Sequence, residues 1–172
     1  MRILTCCLLL LPVAAQPAGK VDWKPFSPKD GAFTTLFPAP PEEHTKPINT
    51  PQGMLDLVYY EAEMPGRDGK LLVGFTEFAA SSIKAGSEDK RLDHARDGAV
   101  ASTKGKLLRE KSLLLDNYPG RELEIEIEGK ARVVLRLYAV KNRLYQVVVA
   151  GSPEFVASPD ALKFLTSFKI AK

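Results

Sequence analysis

The stretch Arg121–Ala150, RELEIEIEGKARVVLRLYAVKNRLYQVVVA, decides the fold. Its first eight residues alternate strictly. Leu123, Ile125 and Ile127 fall on one face, and Glu122, Glu124, Glu126 and Glu128 on the other. Alternation with a period of two specifies a β-strand. Four carboxylates in a row resist burial without ionic partners, so this strand is expected to keep one wet face. The next two runs, Arg132–Val140 and Arg143–Ala150, are apolar on both sides. Leu135, Leu137, Leu144 and Val148 share one face; Val134, Tyr138, Tyr145, Val147 and Val149 share the other. Such strands belong in the middle of a covered sheet. The expected connection of the first two is a three-residue loop, Gly129-Lys130-Ala131. It sets Glu128 against Arg132, Glu124 against Arg136 and Ile125 against Leu135, joining opposite charges and apolar partners. Lys141-Asn142 forms the following turn.

Downstream, Ser158 is an expected helix N-cap, with Pro159 at the first helical position and Asp160 at the positive end. Ala161, Phe164, Leu165 and Phe168 then make an apolar stripe that packs this helix on the sheet. Upstream, the spacing of Leu92, Ala95, Ala99 and Thr103 predicts a helix over Glu88–Thr103, with Gly105 as its stop. Met54–Glu63 and Lys70–Phe78 form a hairpin around Met64-Pro65-Gly66-Arg67-Asp68-Gly69. Short strands are expected at Ala32–Phe37 and within Glu43–Ile48, the first stopped by prolines and placed at a sheet margin. The fold class is therefore α+β: an antiparallel sheet of about 6–8 strands covered by helices. The second apolar face of the central strands needs a cover, supplied by the first helix or by an N-terminal arm carrying Trp23 and Phe26.

Two segments, DGAFTTLFPAPPEEHTKPI and NRLYQVVVAGSPEFVASPDALKFLTSFKI, resemble the opening strand and the closing strand–loop–helix of the PsbP-like superfamily. The resemblance covers most of the chain and rests on packing residues. It implies an antiparallel sheet sandwiched between helices. The superfamily includes extrinsic photosystem II subunits, DcrB-type periplasmic lipoproteins and a nuclear-import factor family, so the fold does not carry a function with it. No functional residue of the superfamily maps onto a position here.

The amino terminus has the three parts of a secretory signal. Arg2 gives the positive region, Ile3–Pro12 a short apolar run, and Val13-Ala14-Ala15 small residues before Gln16. Cleavage is expected between Ala15 and Gln16. This divides the chain into a signal peptide (1–15), an arm (16–30) and one α+β domain (31–172), exported to a periplasm or secreted. The apolar run is too short to span a membrane. Cys6 and Cys7 lie inside it, so the remaining chain has no cysteine. A domain of this size buries enough surface to fold without disulfides. The charge of +3 on 172 residues, one less without Arg2, is too balanced to imply nucleic acid as a partner.

Candidate chemistry is sparse. No Gly-x-Ser-x-Gly elbow is present, and His44 and His94 stand apart, His44 expected in a proline-rich loop and His94 on the first helix. Neither HExxH nor CxxC spacing occurs, so no metal site is expected. The glutamate ladder is expected to pair with arginines rather than hold calcium. Gly98–Lys104, GAVASTK, lacks the second glycine of a phosphate loop. Lys104, Lys106, Arg109 and Lys111 are expected at a solvated helix end and edge strand. The sequence therefore implies no catalytic residue and no cofactor. It implies a non-catalytic binding or accessory domain whose partner is a protein or an envelope component. The alternatives are a hydrolase whose site is scattered through the sequence, and a module that acts by oligomerising.

Overall fold

The computed structural model describes residues 21–29, 32–84, 86–127, 129 and 131–171. The expected cleavage point at Ala15 and Gln16, both cysteines and Glu128 lie outside them. Seven antiparallel strands form the main sheet: β3 (Glu42–Thr50), β4 (Gly53–Glu63), β5 (Gly69–Glu77), β6 (Lys106–Leu115), β7 (Tyr118–Ile127), β8 (Ala131–Val140) and β9 (Arg143–Gly151). Their spatial order is β3-β4-β5-β9-β8-β7-β6. A smaller sheet sets β1 (Lys24–Phe26) and β10 (Lys169–Ile170) on either side of β2 (Phe33–Phe37). Among the described residues three α-helices complete the fold, α1 (Glu88–Thr103), the short α2 (Pro153–Val156) and α3 (Pro159–Ser167), with a 3-10 turn at Ala80–Ser82. This is the expected α+β class.

The two faces of the central strands divide as the alternation requires. Leu123, Ile125, Val133, Leu135, Leu137 and Leu144 pack with Leu92 of α1. Val134, Tyr138, Tyr145, Val147 and Val149 pack with Phe33 and Phe37 of β2, and with Phe164, Leu165 and Phe168. Both covers are thus used, one on each face. Trp23 and Phe26 lean on the second core, and Phe26 lies 4.9 Å from the Tyr60 ring. The Ser158 hydroxyl accepts a hydrogen bond from the Ala161 amide, so the N-cap of α3 is as expected. At the end of α1 it is Lys104, not Gly105, that takes the left-handed conformation, with φ of 51°.

The register of the glutamate hairpin corrects the sequence reading. Ile125 faces Val133, Glu126 faces Arg132 and Glu122 faces Arg136. The pairing is shifted by two residues from the expected one, with the turn centred on Gly129 (φ 97°). A two-residue shift leaves every side chain on its face and still pairs glutamate with arginine, so charge cannot choose between the registers. Bulk chooses. Gly120 faces Tyr138, and a Cβ there would lie 2.5 Å from the ring. The expected register would have set that buried tyrosine against Glu122.

The segment Lys106–Leu115 is a full edge strand. Its Lys106, Arg109 and Lys111 face Glu126, Glu124 and Glu122 across β7, with an irregularity between Leu107 and Arg109. The glutamates are therefore flanked by cations from both sides, and the face is not uniformly wet. Glu122 is buried, its carboxylate 2.8 Å from Lys111 Nζ and 2.7 Å from Arg136 Nε. Burial alone pushes that carboxyl up, but the hydrogen bonds and charges of Lys111 and Arg136 hold it below the usual glutamate range.

Candidate functional site: a cleft beside the first helix

A seven-stranded sheet is roughly 29 Å wide at ~4.8 Å per strand, whereas a helix with its side chains covers ~10–12 Å. Among the described residues the one α-helix on this face, α1, sits over the β7–β8 side of the sheet and packs on Leu123, Ile125 and Leu135. Toward β9, β5, β4 and β3 the face has no helix over it, and there a cleft of about 410 Å³ opens. Its floor is Leu57, Thr76, Leu144 and Gln146; one wall is the β3–β4 hairpin, with Lys46, Ile48 and Thr50. The other wall is the flank of α1, from Arg91 and His94 through Ala95 and Gly98 to Ser102. That volume falls within the ~300–1,000 Å³ of small-molecule sites.

Two groups in this lining are unusual. The Arg91 side chain is only 4% exposed, and none of its three guanidinium nitrogens has a hydrogen-bond partner among the described residues. Among the described residues its one ionic neighbour is Glu88, at 4.0 Å and about two-thirds covered. The guanidinium carbon lies 5.9 Å from the centre of the Phe78 ring. Such a cation–π contact returns ~0.5–2 kcal/mol, against several kcal/mol for taking a charge out of water. Burial outweighs it. Burial accordingly draws Arg91 below the usual arginine range, opposed by Glu88; at arginine's high intrinsic pKa the group remains a cation at neutral pH. The second group is Thr76, fully buried, whose hydroxyl also lacks a partner. Among the described residues no aspartate or glutamate lines the cleft, while the cations Arg91 and Lys46 do. The cleft sets two cations, Arg91 and Lys46, beside a floor that mixes Leu57 and Leu144 with Thr76 and Gln146.

The residues singled out in the sequence do not assemble. His94 is exposed on the cleft wall, and no hydroxyl or carboxylate hydrogen-bonds to it among the described residues. Its neighbour Asp93 is held below the usual carboxylate range by a hydrogen bond from Arg121. His44 lies on β3, not in a loop, and stacks on Tyr59 with ring centres 5.0 Å apart. Gly98–Lys104 is the last part of α1 and its cap. Among the described residues, no three His, Cys, Asp or Glu side chains gather as a metal site. No helix among them is long and apolar enough to cross a membrane. Arg91 and Thr76 escaped the sequence reading. The available signal was Arg91's position next to Leu92 and one turn before Ala95, on the border of the apolar stripe; Thr76 looks like any strand threonine.

The architecture, an antiparallel sheet between α1 on one face and a small sheet with two helices on the other, is PsbP-like. The chain is similar in structure to cyanobacterial PsbP (CyanoP) from Synechocystis sp. PCC 6803, with a TM-score of 0.59 at 11% identity. The match covers 91% of this chain and 97% of that one. The protein of unknown function PA94 from Pseudomonas aeruginosa aligns over 69% of this chain and 90% of its own, at 13% identity and a TM-score of 0.42. No family model and no curated protein matches the sequence.

Proposed function

We propose that the protein is an exported, non-catalytic binding or accessory domain, and that a component of the cell envelope occupies the cleft beside α1. The observation carrying this reading is Arg91, a buried cation in the cleft wall with no hydrogen-bond partner for any of its nitrogens. A fold keeps such a group at a cost unless something else satisfies it. Binding is favoured over hydrolysis because the lining offers neither a carboxylate pair nor a hydroxyl engaged by His94. The signal-like residues 1–15 support the export part of this reading. Native mass spectrometry of the protein taken from the exported fraction tests both parts. A chain beginning at Gln16 and carrying a small-molecule adduct is expected. Gly98→Phe, which projects a ring into the cleft, should abolish the adduct. An intact Met1 would overturn the export reading. An adduct that survives Gly98→Phe would remove the ligand from this cleft, and substrate turnover lost in His94→Ala would make the protein an enzyme.

A further inference from the structure

From the chemistry of the cleft lining we infer that the ligand is a single-chain amphiphile with a carboxylate head, the head seated on Arg91 and Thr76. This rests on the cleft being the binding site. Three features of the lining select this class. Charge comes first: the buried group is one guanidinium, and the lining contains no carboxylate to neutralise it. A single buried cation is matched by a monoanion, while a phosphate monoester brings up to two charges to the same place. Geometry comes next. A guanidinium fork donates two parallel hydrogen bonds to a planar carboxylate, and the Thr76 hydroxyl supplies a further unused donor in the same cleft. The third feature is the remaining surface. Leu57, Leu144, Ile48, Phe78, Ala95 and Ala99 give the cavity an apolar share of lining that suits an alkyl chain, with polar residues such as Gln146 and Ser102 between them.

The polar atoms of Arg91 and Thr76 are shut off from water. The head group therefore enters by parting the wall side chains instead of settling on an open shelf. Lys46, exposed at the rim, attracts anions to the mouth. Without ligand the guanidinium is a burden on the fold. It becomes satisfied only when the carboxylate arrives.

The test titrates the protein, followed by NMR, with four probes of equal chain length: octanoate, octyl phosphate, octanol and octyltrimethylammonium. Octanoate should shift the amides of Ala95, Gly98 and Ala99 together with the Arg91 Nε–H resonance, and should bind at least tenfold more tightly than octanol. Arg91→Met should abolish that preference while raising the melting temperature of the ligand-free protein. Arg91→Lys, which keeps the charge but not the fork, should restore part of the preference. Octanol binding as well as octanoate would overturn the carboxylate inference and leave the cleft reading standing. Tighter binding of octyl phosphate would also overturn it, in favour of a phosphate head. If none of the four shifts the cleft residues, the cleft reading itself fails. A lower melting temperature for Arg91→Met would make Arg91 a structural residue and end the proposal.

Discussion

Two single residues separate what stabilises this fold from what the cleft retains. Arg91 and Thr76 bury polar atoms with no hydrogen-bond partner, and each such group costs about 1–3 kcal/mol of desolvation. Arg91→Met should therefore raise the unfolding free energy of the ligand-free protein by about 1–3 kcal/mol. Thr76→Val should add about 1 kcal/mol, both being read by chemical denaturation. Glu122 is the opposite case, a buried carboxylate with its partners in place. Glu122→Gln should cost about 1–3 kcal/mol at neutral pH. That is less than a fully buried pair would lose, because Arg136 keeps its 3.0 Å bond to the Leu165 carbonyl. The folded Glu122 titrates below the usual glutamate range. Its contribution is thus fully present above that range and is lost as the pH falls through the folded value. Denaturation curves between neutral pH and about pH 3 should show wild type losing its margin over Glu122→Gln as the solution is acidified. A constant margin would mean that Glu122 contributes through packing alone.

At the scale of elements, α3 and α1 show how far a pattern in sequence carries. The stripe Ala161, Phe164, Leu165 and Phe168 is buried throughout, and Phe168 stacks on Tyr138 with ring centres 5.8 Å apart. Phe168→Ala should destabilise by about 3–5 kcal/mol, measured by urea unfolding; a loss under about 0.5 kcal/mol, the scale of surface changes, would contradict the burial. In α1, Gly98 lies in mid-helix, and a Cβ there would meet nothing within 4 Å. Packing does not require this glycine. Gly98→Ala should stabilise the protein by about 0.5–1 kcal/mol, visible as a higher melting temperature. Periodicity made these helices legible, and alternation did the same for the central strands and the residues on each of their faces. The hairpin register was less legible, because Arg132 and Arg136 repeat with the same two-residue spacing as the glutamates. The contact that settles it is Tyr138 over Gly120, a steric fit between residues far apart in sequence. β6 was legible as an edge strand, but the pairing of its cations with the glutamates of β7 was not, because they read as solvated until the two strands lie side by side.

At the scale of the whole molecule, the layered plan was legible because strands apolar on both faces demand two covers. The cleft was not. It exists because one helix is narrower than the sheet it covers, a relation between element widths that no local pattern states. Arg91 and Thr76 both line it, one from α1 and one from β5, and neither carries a motif. The ends of the chain supply a different consequence. β1 and β10 flank the same five-residue strand, with Lys24 paired to Phe37 and Ile170 to Phe33. The described chain thus enters at one end of β2 and leaves at the other. Tension applied between the two ends would drag β1 and β10 along β2 in opposite directions. Their backbone hydrogen bonds would share the load at once instead of parting one after another. β1 and β10 thus make a shear clamp on β2, whose two halves, more than a hundred residues apart in the chain, close only once β10 has been made.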